Sequence, residues 1–484
     1  MVAAALARRL ERLLGPDGVV RDPTALRAYE CDGLTSHRQV PDLVALPRTA
    51  QEVAAVVALC AEHGVPFTPR GAGTGLSGGA LAAEGGVVVA TTRMRDILAV
   101  DPANQRLVAQ PGVTNREISA AVARHGLYYA PDPSSQVVCT IGGNVAENSG
   151  GAHCLKYGFT THHVLAVELV TPGGEIVTLG SALAESPGYD LRGVVVGSEG
   201  TLGIVTAVTV RLLPLPEAVR TLVADFASPA AAGEAVSGMV AAGITPAAVE
   251  MLDALAIEAC EAATSAGYSL DAGAALIVEL DGPAAEVEAE FAAAERICRD
   301  HGAARVRIAG GAQERELIWK GRKAAFAAMG RLAPAYLVQD GVIPRTRLGA
   351  VLGRIAELAS EAGLRVANVF HAGDGNLHPL VLYDADVAGE AVRAEELSKR
   401  IMSLCVDAGG SITGEHGVGV DKACDMPRMF SEEDLAVMAR VRGAFDPDGL
   451  CNPGKVLPTP RLCGDRPGPY RPHPLEEAGV ISQW

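Results

Sequence analysis

The stretch PRGAGTGLSGGA, residues 69–80, follows the strand-like run VPFTPR and contains G-x-G-x-x-G at Gly73, Gly75 and Gly78. How this loop is read decides the fold. A dinucleotide-binding β-α-β unit needs a helix that begins in the loop and an acidic residue closing the next strand. Here Gly85 and Gly86 interrupt before a helix of useful length can form, and the next strand, VVVATT, ends in threonine. A P-loop is excluded as well, because Gly454-Lys455 is followed by valine and lacks the upstream glycine. What remains is backbone physics. Successive glycines let N–H groups line one concavity, Thr74 and Ser77 add hydroxyls and Arg70 adds charge, and such a nest binds a diphosphate without a helix. The competing reading is a glycine-rich surface turn with no ligand.

Outward from this loop, short Val-rich strands alternate with helices from residue 42 to about 214. DLVAL reads as a strand, and TAQEVAAVVALCAEHG as a helix capped by Thr49 and closed by Gly64. VLAVELVTPGGEIVTL reads as a hairpin turning at Pro172-Gly173-Gly174. A proline-rich end to GIVTAVTVRLLPLP places a boundary near Pro216. Residues 217–425 mix strands (ALIVEL, RVRIA, RVANVFH) with Ala- and Glu-rich helices, and residues 426–484 return to helix and then, from Pro458, to Pro-rich coil.

At 484 residues, two domains with a shared C-terminal piece are expected. A formal charge of -16 argues against a nucleic-acid partner. The ten cysteines are scattered with no C-x-x-C pair, so reduced thiols in a cytoplasmic protein are expected rather than a disulfide scaffold or clustered-thiolate metal site. The opening MVAAALARRLERLLG reads as an amphipathic helix rather than a signal peptide, and no apolar run is long enough to span a membrane.

Two more small-residue stretches follow the first loop: PDPSSQVVCTIGGNVAENSGGAHCLKYG (131–158), read as loop-rich, and GSEGTLGIV (197–205). Three such stretches in one domain suit a long ligand stretched across it. In this order they resemble the FAD domain of the vanillyl-alcohol oxidase and p-cresol methylhydroxylase (PCMH) superfamily. The resemblance implies FAD contacts from Arg70, Gly71, Ala72, Gly73, Thr74, Gly75, Ser77, Gly78 and Gly79 in the first loop. It implies further contacts from Pro131, Asp132, Ser134, Ser135, Gly142, Gly143, Asn148 and Gly151, and from Gly200, Ile204 and Val205. Some relatives tether FAD through a histidine in the first loop; this loop has none, so noncovalent FAD is expected.

FHAGDGNLHPL, residues 370–380, reads as a hairpin whose turn is AGDGN, with His371 and His378 at its mouth. Directly cross-strand side chains have Cβ atoms about 5 Å apart, close enough for two imidazoles to converge on one cation. Glu415, in TGEHGVG (413–419), completes two imidazoles and a carboxylate with an open position, the pattern of a catalytic divalent-metal site, zinc or manganese. The bland alternative is two histidines hydrogen-bonded in a tight turn that Asp374 caps. Adjacent residues in extended chain point opposite ways, so with Glu415 on the metal His416 is expected to face elsewhere, for instance toward bound substrate, while the flanking Gly414 and Gly417 permit other geometries. That division suits alcohol oxidation, with His416 removing the hydroxyl proton while hydride leaves the carbon.

The hairpin and the GEHG segment resemble the FAD-linked 2-hydroxyacid dehydrogenases, which include D-lactate and D-2-hydroxyglutarate enzymes, over almost the whole chain. ERELIWKGRKAAFAAMGRL, VANVFHAGDGNLHPL and FDPDGLCNPGK look closest to one branch, the flavoprotein D subunits of bacterial glycolate oxidases. The resemblance implies an α+β fold: a two-subdomain PCMH-type FAD-binding domain (1–216), an α+β substrate or cap domain (217–425), and a C-terminal helical segment (426–484) returning to the flavin. It makes His371, His378 and Glu415 the metal ligands, His416 the base, Arg322 the anchor of the substrate carboxylate and Asn452 a neighbour of the flavin. Taken alone, Arg322 would be a solvent-facing helix residue, and Asn452 before Pro453 a turn signal. Hydroxyglutarate relatives carry an extra lysine where this chain offers AYLVQDG and Phe326, which points to glycolate or D-lactate.

No iron–sulfur or haem motif is present to reoxidise a flavin. The resemblance implies electron transfer to flavin-domain and iron–sulfur partner subunits, with the protein cytoplasmic and peripheral at the inner membrane. A D-lactate dehydrogenase with a cytochrome or quinone acceptor, and a noncatalytic FAD-binding subunit, are the alternatives; the intact His371, His378, Glu415 and His416 set speaks against the last.

Overall fold

The computed structural model describes residues 4–183, 188–459 and 463. Most of the Pro-rich tail expected from Pro458 therefore lies outside the described residues. The chain divides into two compact units: residues 1–150, 158–215 and 415 onward form the first, and Gly151–Tyr157 with Pro216–Gly414 form the second.

In the first unit, a four-stranded sheet runs in the order Val19–Val20, Leu43–Ala45, Val87–Ala90, Phe67–Arg70, its last three strands mutually parallel. The helix Ala50–Glu62 makes the crossover between two of them. Its start is fixed by the Thr49 side chain, which accepts the Glu52 N–H, and its end by Gly64 at φ +60°. An antiparallel five-stranded sheet follows, ordered Ile97–Asp101, Arg106–Ala109, Ile204–Arg211, Val164–Val170, Ile176–Gly180, and it contains the expected hairpin. Each sheet has its own aliphatic core, one centred on Val53, Val56 and Val89, the other on Leu107, Ile118 and Val208. After helix Glu432–Phe445 the chain returns to the first sheet, where Cys451 bridges Phe67 in parallel.

The second unit is built on a nine-stranded sheet whose central strands are Ala218–Phe226, Ala274–Gly282, Ala248–Asp253 and Arg365–His371, all antiparallel. The first five residues of the strand AALIVELDG are apolar on both faces, where helices cover both. Leu276 and Val278 pack with helices Pro229–Ala241, Ala284–Asp300 and Leu348–Ala362, while Ala275 and Ile277 pack with helices Ala254–Thr264 and Ala312–Lys323. Full burial of each such aliphatic contributes about 1.5–3 kcal/mol.

Two sequence expectations are corrected. Residues 141–147, read as part of a loop, form the helix Ile141–Glu147, ended by Asn148 in the left-handed conformation at φ +54°. The thiols are not all reduced, since Cys424 and Cys463 form a disulfide with Cα atoms 5.3 Å apart. Gly151 belongs with Gly151–Tyr157 to the second unit. There His153 Nε2 lies 3.4 Å from Glu279, and Lys156 and Tyr157 bind Asp281 at 2.7 Å. No helix of the described residues is long and apolar enough to cross a membrane.

Candidate functional site

In the second unit, His371 ends the strand Arg365–His371 and is paired with Asn376 across a turn at residues 372–375, while Asn368 faces Pro379. His378 therefore lies two residues along from the partner of His371. The histidines are diagonal neighbours, not directly opposed ones, and their side-chain length closes the gap. Both are buried, 3% and 1% exposed, and their rings meet edge to face with centroids 5.1 Å apart. A ligating atom of each lies within 4.8 Å of the other's.

What stands behind each ring sets its chemistry. His371 Nδ1 is 2.6 Å from Glu250 Oε1, and Glu250 is its direct cross-strand partner. His378 Nδ1 is 3.2 Å from the Gln339 carbonyl and 3.7 Å from Asp340 Oδ1. With each Nδ1 turned toward a protein acceptor, Nε2 is the nitrogen of each imidazole that could ligate an ion. Such backing is what metal-binding histidines need, so this half of the expected ligand set fits a divalent ion. The Phe326 ring packs 6.0 Å from that of His378.

Arg322 is not the solvent-facing helix residue its position alone suggested. The helix Ala312–Lys323 buries it to 3% exposure, and its NH2 lies 2.6 Å from Glu250 Oε2. Its Nε is buried without a hydrogen-bond partner. That orphaned donor fits an arriving carboxylate.

Glu415 and His416 open the chain's return to the first unit. Just before them, Asp340 Oδ2 accepts the Thr413 hydroxyl at 2.6 Å and the Gly414 N–H at 2.8 Å. Just after them, buried Glu199 accepts the Val418 and Gly419 N–H groups, each at 2.6 Å. The pair is thus held from both sides along the chain. Their side chains do not diverge as extended chain would require, because His416 Nε2 lies 3.9 Å from Glu415 Oε1. The chain bends through residues 414–416, so the backbone is not extended here.

The glycine loop is the strongest cofactor feature of the first unit. From Ala72 to Gly79 no backbone N–H finds an acceptor among the described residues. The Ser77 hydroxyl, fully buried, and that of Thr140 beside Gly71 also lack partners. Unsatisfied donors in such number are the signature of an anion cradle, and they fit the FAD diphosphate. Gly73 sits at φ +71°, where a Cβ would strike the Arg70 guanidinium, and a Cβ on Gly79 would lie 2.6 Å from Glu147 Oε1. Arg70 itself stacks 5.5 Å from the Tyr29 ring. Gly142 and Gly143 lie in the helix ended by Asn148, and Pro131 accepts Asn115 Nδ2 at 2.9 Å. Ser134 is exposed, Asp132 and Ser135 are half-buried, Gly200 adopts φ +68°, and Ile204 and Val205 open a buried strand. Asn452 is fully buried and clasps the loops, donating to the carbonyls of Gly79 at 2.9 Å and Glu199 at 2.7 Å.

Several residues of this machinery were not singled out from the sequence. Glu250 stands in AVEMLD and Lys455 in CNPGKV; a charge inside an apolar strand was the available signal for the first. Lys455 Nζ, buried, donates to the Leu81 carbonyl at 2.6 Å, and burial lowers it to about 8. Burial raises the Glu147 carboxyl well above its ordinary range, and nearby Glu199 adds repulsion.

Residues 41–180 match an FAD binding domain family, and residues 215–456 match the C-terminal domain of FAD linked oxidases. The chain is 52% identical over 437 residues to the glycolate oxidase subunit GlcD of Escherichia coli (strain K12), covering 90% of this chain and 88% of that one. It is 37% identical to the GlcD subunit of Bacillus subtilis (strain 168), covering 94% and 97% of the two chains. Among solved structures, p-cresol methylhydroxylase with substrate bound superposes with a TM-score of 0.79 at 17% identity, over 93% of this chain and 96% of that one, a likeness of fold.

Proposed function

Because the chain belongs to the FAD-linked oxidase family, we propose that it oxidises a small 2-hydroxy acid, glycolate or D-lactate, to the 2-oxo acid. One observation carries the reading: two buried imidazoles meet edge to face, each backed at Nδ1, beside a buried guanidinium with an unpartnered Nε.

The donors of residues 72–79 would hold the FAD diphosphate noncovalently, and His371, His378 and Glu415 would hold a zinc or manganese ion. Bound FAD supplies the hydride acceptor and the metal supplies Lewis acidity toward the substrate hydroxyl. Arg322 orients the substrate by its carboxylate, through the Nε side of its fork. His416 takes the hydroxyl proton onto its imidazole, and the α-hydrogen leaves as hydride. Phe326 and the strand Ala335–Val338 supply no second cation, which supports a short monocarboxylate over a dicarboxylate. The electrons go on to flavin-domain and iron–sulfur partner subunits, or to a quinone, with the protein cytoplasmic and peripheral at the inner membrane through its partners. The identity to GlcD, a glycolate oxidase subunit, supports this.

Anaerobic addition of glycolate or D-lactate to the FAD-loaded protein tests the reading. Bleaching of the flavin absorbance is expected with at least one of them. Protein that holds FAD and bleaches with neither is a noncatalytic subunit.

A further inference from the structure

The strand Ala248–Asp253 is buried on both sides, yet places Glu250 at its centre with 0% exposure. A carboxylate is costly there unless both oxygens are engaged. Glu250 divides them: Oε1 is 2.6 Å from His371 Nδ1, and Oε2 makes an ion pair with Arg322 NH2 at 2.6 Å that is not a hydrogen bond. The two histidines are therefore backed differently, one by an anion and the other chiefly by the neutral carbonyl of Gln339.

We propose that Glu250 is a positioning residue for the metal site: it fixes the His371 ring and keeps its proton on Nδ1, so that Nε2 presents a lone pair to the ion. Arg322 balances the charge that this requires. A carboxylate behind a ligating imidazole also makes it a stronger donor. The inference rests on the metal reading above, and its test separates the two.

Metal is stripped from the FAD-loaded protein, and zinc affinity is measured in competition with a chromophoric chelator. Two double variants leave no buried charge orphaned. Glu250→Gln/Arg322→Met keeps a carbonyl facing Nδ1, whereas Glu250→Leu/Arg322→Met removes the acceptor. The first should bind zinc within about tenfold of the wild type, and the second roughly 10–100-fold more weakly than the first. Equal affinities overturn the proposal, since a role limited to charge balance would leave the two variants alike. His371→Ala is the control. If it loses zinc while the double variants match, only the Glu250 inference fails; if it binds zinc like the wild type, the metal reading fails and takes the inference with it. Should a double variant not fold, the wild type decides. Long-range proton–nitrogen correlations on histidine-labelled holoprotein should show His371 protonated at Nδ1, and an Nε2–H tautomer overturns the proposal.

Discussion

His416 is held in place by what its neighbours do. Asp340 grips the two residues before the Glu415–His416 pair and Glu199 the two after Gly417, so the backbone that carries the imidazole is anchored on both sides. A general base so placed contributes typically a hundredfold or more. His416→Ala should therefore lower kcat by at least about a hundredfold while the protein keeps its FAD, measured by dye-linked turnover and the visible spectrum; unchanged turnover removes it as the base. Lys455 makes a separate prediction. Burial lowers it from 10.5 to about 8. At lower pH both folded and unfolded states carry the proton, and the folded state bears the cost of the buried cation. Above about 8 the unfolded chain holds more protons, so stability rises with pH until the lysine of the unfolded chain also titrates near 10.4. The difference in urea unfolding free energy between wild type and Lys455→Met should rise by up to about 3 kcal/mol from pH 8 to about pH 10. A flat difference would exclude a buried titrating ammonium.

At the level of elements, the loop after strand Phe67–Arg70 works only while its amides stay unspent. Gly73→Ala forces a left-handed φ on a residue with a Cβ and drives that atom into the Arg70 guanidinium. The left-handed conformation alone costs about 1–2 kcal/mol, so FAD affinity should fall at least about tenfold, read by reconstitution of the apoprotein. Retained affinity would show that the diphosphate is held elsewhere. Elements with local signals were legible beforehand: the helix between Thr49 and Gly64, and the hairpin of Val164–Val170 with Ile176–Gly180. The histidine hairpin was legible too, but not its register. One residue's shift in the turn, at 372–375 rather than Ala372 to Asn376, made the histidines diagonal. The helix Ile141–Glu147 escaped because its paired glycines and preceding prolines are loop signals, overridden by packing of Ile141 and Val145 into the core.

Across the whole molecule, long sequence separations hid what matters. Glu250 meets His371 from 121 residues away, and His153 meets Glu279 from 126, and no periodicity encodes either. The PCMH-type architecture was nonetheless readable, because three small-residue stretches in their order resemble the FAD domain of that superfamily. The Cys424–Cys463 bond, 39 residues apart, lacked any spacing motif. Alkylation of the unfolded protein without reductant should label eight of the ten cysteines, counted by mass; ten would show that the pair is not bonded.

The seven residues Gly151–Tyr157 belong to the second unit while standing, in sequence, inside the first. Anyone recombining these modules between relatives must carry that heptapeptide along with residues 216–414. A chimaera joined only at the obvious seam would inherit His153, Lys156 and Tyr157 from one parent and Glu279 and Asp281 from the other. Its two halves would be mismatched at contacts made by residues far along the sequence from the splice.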